Sequence, residues 1–326
     1  MLHRLKRLFG WLTVGALVGI ALVPTPALAA ATTWHVSVGA QTPDMGEQAN
    51  GFFNKNITVD VGDTVTWTDA VDEIHTVSFL SGLPEPPLFF IVGNQLIPNG
   101  VAFAPADGPT YNGTGFANSG LFAAPGQTFS LTFTAQGTYP YLCLVHAGMI
   151  GTVTVNAAGT AYPATQSDYD RAVQPQEAQL LGQARSLIGA AQATAAPSSA
   201  TVGIGQLVPG VGSLAALRFV ADKRVVHVGE TVTWTNLDPQ TPHTITFGTE
   251  PPGGPFGAYA PSSNVSGGHA TLSSTTQSVN SGFVANDQVF KVKNTFSATF
   301  TAPGTYPYIC ALHDTLGMTG TIVVLP

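Results

Sequence analysis

Two short segments of the chain carry the residue types that bind soft metal ions. Tyr141-Leu142-Cys143-Leu144-Val145-His146-Ala147-Gly148-Met149 sets out a thiol, an imidazole and a thioether as C-x2-H-x2-M, and Tyr308-Ile309-Cys310-Ala311-Leu312-His313-Asp314-Thr315-Leu316-Gly317-Met318 does so as C-x2-H-x4-M. A further imidazole stands far upstream of each, His75 at 68 positions before Cys143 and His243 at 67 before Cys310. One Cys and two His in a roughly trigonal plane, with a weak axial Met, is the ligand set of a blue-copper electron-transfer centre. Thiolate and thioether favour Cu(I) while imidazole suits both oxidation states, so such a set held stiffly can exchange one electron with little change of geometry. Gly148 and Gly317, directly before the Met, let the loop turn back towards a metal. Singly, each residue has a plainer role: a buried Cys is a small core hydrophobe, a Met fills a gap, a strand His bonds to backbone. The combination is specific, because beyond Met1 the chain has only Met45, Met149 and Met318, and two of these fall in the two loops.

The elements that must position these residues are duplicated. Gly62-Asp63-Thr64-Val65-Thr66-Trp67 recurs as Gly229-Glu230-Thr231-Val232-Thr233-Trp234, and Gly137-Thr138-Tyr139-Pro140-Tyr141-Leu142-Cys143 as Gly304-Thr305-Tyr306-Pro307-Tyr308-Ile309-Cys310, both at an offset of 167. His75-Thr76-Val77-Ser78-Phe79 returns as His243-Thr244-Ile245-Thr246-Phe247 at 168. Two domains follow, 30–156 and 201–326. Within each the apolar period is two: Ile57, Val59 and Val61, then Val65 and Trp67, then Phe129, Leu131 and Phe133 alternate with polar residues. Short Thr-rich strands between Gly and Pro turns predict an all-β chain of two antiparallel sandwiches. The stretch between His and Cys is too long for a simple connection and predicts either a cover or an inserted decoration. The linker, 157–200, is rich in Ala and Gln; Ser167 is a candidate cap for a helix with Leu180, Leu181, Ala184, Leu187 and Ile188 on one stripe, a docked spacer, and Ala-Pro-Ser-Ser-Ala ends it as a flexible piece.

At the N-terminus, His3, Arg4, Lys6 and Arg7 precede an apolar run from Leu8 to Val23 and the small-residue site Ala27-Leu28-Ala29. This predicts an export signal over 1–29, cleaved rather than kept as an anchor, because the run is shorter than the ~20 residues of a spanning helix. The expected destination is periplasmic, cell-surface or extracellular, with no membrane span after cleavage. An exported chain with one Cys per domain has no obvious disulfide, so both thiols need another role. Only 9% of the 326 residues are charged, against the ~25% usual in soluble domains, which calls for a Thr-, Ser- and Gly-rich surface. A net charge of -7 argues against nucleic acid or an anionic membrane as partner.

Both copies resemble the plastocyanin-like cupredoxins, the type 1 blue copper domains, through Gly-Asp-Thr-Val-Thr-Trp, His-Thr-Val and Tyr-Leu-Cys-x-x-His-x-x-Met followed by Gly-Thr-Val-Thr-Val. The resemblance implies two Greek-key sandwiches, each with one copper near one end, ligated by His75, Cys143, His146 and Met149 in the first domain and by His243, Cys310, His313 and Met318 in the second. The shorter first loop is similar to that of amicyanin-type proteins and the longer second loop to that of plastocyanin. The chain departs from the family pattern at Val145 and Leu312, where many members have Pro, and at Thr76 and Thr244, where many have Asn. These positions neighbour the ligands and so bear on the reduction potential.

The function expected is an exported electron carrier or relay with two type 1 copper ions, His146 and His313 being the exposed ends of the electron path. The alternatives are a multicopper oxidase or nitrite-reductase-like enzyme, and a copper storage or delivery protein. The enzymes need extra His ligands, commonly beside the type 1 Cys, but Leu142, Leu144, Ile309 and Ala311 flank the two thiols and no His-x-His occurs in the chain. An enzyme is therefore not expected. Residues 31–156 carry nine acids against Lys55, whereas 201–326 carry six against five bases, so the partner expected is a basic redox protein docking near the first domain, with Asp69, Asp72 and Glu73 beside the site. His35, His227 and His269 lack counterparts and read as surface or loop residues.

Overall fold

A computed structural model describes residues 30–286 and 289–326; the segment 1–29, expected to be an export signal, lies outside them. The two copies fold as two β-sandwiches. In the first, the strands Thr33–Gln41, Glu47–Phe53, Thr64–Asp69, Thr128–Phe133 and Thr110–Tyr111 form one layer. Asn56–Asp60, Ile150–Asn156, Gly137–Leu142, Ser78–Phe79 and Ala117–Asn118 form the facing layer. The second copy repeats this order of strands. Alternation does the sorting: Val65 and Trp67 are fully buried while Thr64, Thr66 and Thr68 face outward. On that outer face cross-strand hydroxyls pair with one another, Thr64 with Thr132 at 2.7 Å, Thr66 with Ser130 at 2.8 Å and Thr231 with Thr299 at 2.6 Å. Such pairs satisfy polar groups without charge, which is how the low charge content is accommodated.

The sheets are mixed, a correction to the antiparallel expectation. Thr33–Gln41 runs parallel to Thr64–Asp69, and Asn56–Asp60 parallel to Ile150–Asn156, with equivalents in the second copy. Period-two patterning reports which face is buried but not strand direction, and here strands distant in sequence are brought side by side by crossovers. Each core centres on an aromatic trio. The Trp67 ring meets Phe79 and Tyr141 at 5.6 and 5.2 Å, and Trp234 meets Phe247 and Tyr308 at 5.9 and 5.4 Å.

The two sandwiches share a sheet. Glu47–Phe53 of the first pairs antiparallel with Gly212–Val220 of the second, Ala49 opposite Leu214 and Gly51 opposite Gly212, giving ten continuous strands. A helix of 29 residues, Gln166–Thr194, lies across this seam. Thr165, not Ser167, caps it, in a reciprocal capping box with Asp168. The expected stripe is the docked face: Leu180 and Ala184 pack with Ala40, Ala49, Phe53 and Leu214, while Leu187 and Ile188 meet Ile204, Ala216 and Val220. Ser199 and Ala200 are strand residues beside Thr233 and Trp234 rather than the end of a flexible piece. Leu180→Ala is expected to destabilise the chain by about 2–5 kcal/mol, checked by the denaturation midpoint; no shift would mean that the helix is only tethered.

The long His-to-Cys stretches act as a cover. In the first copy a hairpin, Phe89–Val92 with Gln95–Pro98, reaches the second, where Phe89 packs against Phe256 and Phe290 at 5.4 and 5.9 Å. Beneath it lies a cleft of about 1160 Å³ lined by both metal-type loops. Among the described residues no helix is long and apolar enough to cross a membrane.

Candidate metal centre

Strand pairing brings the distant His to the Cys. Ser78, three residues after His75, pairs with Leu142, the residue before Cys143; Thr246 pairs with Ile309 in the same way. His75 is itself fixed by a two-way backbone bridge to Phe122, and His243 by one to Val284. The loops then fold back on themselves. The Cys143 N–H donates to the Met149 carbonyl at 3.0 Å and the Met149 N–H to that of His146 at 3.2 Å; Cys310, Met318 and His313 repeat this at 3.1 and 3.1 Å. Gly148 and Gly317 have φ of 82° and 83°, the left-handed turn anticipated for them.

In the second domain the donor atoms converge. Nδ1 of His243 and Nδ1 of His313 are 3.1 Å apart and lie 3.8 and 3.4 Å from the Cys310 sulfur. Met318 is fully buried in the same core cluster as Cys310. Two imidazole nitrogens and one sulfur crowded inside a dry core are what a soft metal ion would resolve, so the residues fit the group. In the first domain His146 Nδ1 is 3.9 Å from the Cys143 sulfur and the His75 and His146 rings are 4.7 Å apart. The His75 ring, however, directs Nδ1 to the Glu73 carbonyl at 3.1 Å and the Asp69 carboxyl at 3.8 Å. Among the described residues only His243, Cys310 and His313 bring three such ligand atoms within 4.8 Å of one another.

Thr76 and Thr244, each directly after its upstream His, hold the strands at the sulfur. The Thr76 and Thr244 N–H groups donate to Cys143 and Cys310 sulfur at 3.4 and 3.3 Å, and their hydroxyls accept from the Leu144 and Ala311 N–H groups, both at 2.8 Å. Thr244→Val would leave the buried Ala311 N–H without its acceptor, at a cost of about 1–3 kcal/mol. Thermal unfolding should show that loss, and Thr76→Val should match it at the other domain.

Electrostatics separate the two sites. Burial pushes the Cys143 thiol up, and burial with the neighbouring His146 holds His75 down at about 3. At Cys310 burial acts in the same upward sense, but the His313 and His243 imidazoles outweigh it and draw the thiol well below its ordinary range. Thiolate is the species that binds metal, so this downward pull favours the second thiol as a ligand. Burial raises Asp69 to about 8. Glu73, though buried, is held at about 2 by His313, His146 and His75.

Two expectations change. His146 and His313 are 3% and 4% exposed, so neither is an open end of the path. Asp69 and Glu73 are buried, as are Glu47, Asp60 and Asp63, so most of the first domain's acidic excess is internal rather than on the surface. Asp69 and Glu73, expected as charge beside the site, instead lie buried against imidazoles, Asp69 at 3.8 Å from His75 Nδ1 and Glu73 at 3.4 Å from His313 Nε2; Asp238, which the sequence did not single out, is buried near His243. His35 and His227 are exposed, and His269 bonds Ser297 at 2.9 Å, in keeping with plain roles.

A β-sandwich carrying one thiol, two imidazoles and a thioether at one end is the build of a cupredoxin domain, present here twice. The chain belongs to the copper binding proteins of the plastocyanin/azurin family, whose model matches residues 36–156 and 208–325. It is 31% identical over 157 residues to the chloroplastic plastocyanin of Oryza sativa subsp. indica, covering 46% of this chain and 86% of that one. It is 31% identical over 152 residues to the plastocyanin of Nostoc punctiforme, covering 44% and 88%. Oxidized plastocyanin from Dryopteris crassirhizoma, a solved structure, matches at 20% identity and a TM-score of 0.23, covering 39% of this chain and 99% of that one. The family makes this a blue copper electron carrier rather than an enzyme.

Proposed function

We propose that the chain is an exported electron relay with two type 1 copper sites, His75, Cys143, His146 and Met149 holding one ion and His243, Cys310, His313 and Met318 the other. The convergence of His243, Cys310 and His313 on one buried point carries this reading. Copper so bound supplies a one-electron couple. The protein's part is to hold the ligands still: the Cys strands are clamped by Thr76 and Thr244, and the loop hydrogen bonds fix Met149 and Met318, so little moves when the charge changes. The first site would need the His75 ring turned about its Cβ–Cγ bond, taking Nδ1 off the Glu73 carbonyl. The partner is a redox protein that reaches the cleft between the loops; a basic partner would find only the remaining surface acids of the first domain.

Copper loading of the mature protein, with metal quantified and spectra taken in the visible and by electron paramagnetic resonance, tests this. Two equivalents of type 1 copper are expected. Additional type 2 copper with oxygen or nitrite turnover would favour the enzyme instead, and zinc or no metal would sink the relay.

A further inference from the structure

Glu73 belongs to the first domain but addresses the second domain's site. Its Oε2 lies 3.4 Å from Nε2 of His313, the ring atom opposite the one that faces Cys310, with the two side chains 9% and 5% exposed. Its other oxygen accepts from the Ile74 N–H at 3.3 Å, and its carbonyl meets His75 Nδ1. The carboxylate therefore sits between the two candidate sites, screened from water, where a charge acts strongly. The repeat-equivalent residue in the second copy is Thr241, also buried, which carries no charge to return to His146. The second copy's contribution across the gap is neutral, Gln240 Nε2 donating to the Ala147 carbonyl at 2.8 Å.

We propose that Glu73 is a positioning residue acting across the domain boundary, completing the outer shell of the second site and making two duplicated sites inequivalent. A carboxylate facing the far N–H of a ligating imidazole fixes the ring and raises its basicity. More basic ligation favours Cu(II) over Cu(I), so the second site is the harder to reduce. An electron shared between the sites then rests on the first, and the internal direction of transfer runs from the His313 side to the His146 side. No atom would be transferred: with copper held by both ligand sets, one electron would pass from the ion at His243, Cys310, His313 and Met318 to the ion at His75, Cys143, His146 and Met149.

This inference rests on the two-site relay, and the test separates the two. In copper-loaded full-length protein, a redox titration of the blue band should resolve two one-electron steps. Glu73→Gln, which keeps the shape and removes the charge, should shift the lower step upward by about tenfold in its Cu(II)/Cu(I) equilibrium, which is about 59 mV for one electron, and move the upper step less. The same shift should appear in Cys143→Ser combined with Glu73→Gln, where only the second site is left. The His313 Nε2–H proton, followed by nuclear magnetic resonance in the diamagnetic Cu(I) protein and in metal-free protein, should be protected from exchange and lose that protection in Glu73→Ala, which removes the facing oxygen. Two equivalents of blue copper with both steps unmoved, or moved equally, overturn the inference and leave the relay standing. Failure to bind two coppers overturns the relay, and an Nε2–H signal indifferent to Glu73→Ala in metal-free protein then overturns the contact as well.

Discussion

Replacing Cys310 by serine should remove about half of the blue absorption of the copper-loaded protein and lower its copper content by one equivalent. A hydroxyl is a hard, protonated donor and does not substitute for thiolate towards copper. The loss should be confined to one site, because Cys310 and Cys143 sit in separate cores, each sulfur with its own Thr N–H and its own loop imidazole. The change is small enough to be folded around: the serine oxygen can still accept from the Thr244 N–H, so the cost of burying it is held to about 1–3 kcal/mol. Cys143→Ser should remove the other half. Unchanged colour in either variant would show that its thiol is not a ligand. Colour abolished by one substitution would show that the sites depend on each other.

Gly203→Ala should have a similarly local but more damaging effect. Gly203 sits at a bulge in the strand Ser199–Val208 with φ of 69°, and a Cβ built there collides with Nε2 of His243. The left-handed backbone alone costs a non-glycine residue about 1–2 kcal/mol, and the imidazole must be pushed off its position as well. The expected result is a second site that no longer holds copper, a first site of unaltered spectrum, and a lower melting temperature. Metal analysis with electron paramagnetic resonance reads the first two, calorimetry the third. Retention of both coppers would mean that His243 is free to give way, contrary to its bridge to Val284.

Much of this was legible in the chain. The repeat places Trp67 with Trp234 and Cys143 with Cys310, and period-two alternation finds the buried faces, since both are local records of packing. The helix stripe at Leu180 and Ala184 was readable for the same reason. Its cap was misplaced by two residues because Ser167 and Thr165 offer the same hydroxyl, and only the reciprocal bond from Asp168 chooses between them. The facing of the two sites was not legible: it depends on how one sandwich sits on the other, which no local pattern encodes. That is why Asp69 and Glu73 read as surface charge near a ligand, when each is enclosed by residues distant in sequence.

The shared sheet has a further consequence. The strands that join at the seam, Glu47–Phe53 and Gly212–Val220, are the same element of the two copies, and they pair antiparallel about a point near Ala49 and Leu214. Equivalent strands pairing antiparallel with each other is the geometry of an isologous interface, so the two copies sit as the subunits of a homodimer would, about an approximate dyad. All seven residues of Glu47–Phe53 are buried. A half-chain cut within the linker would expose that strand as an open edge, and it would pair with another copy of itself or aggregate. The two copies differ across that dyad, with Glu on one side and Thr on the other at positions 73 and 241. A true homodimer would have to carry the same residue at both.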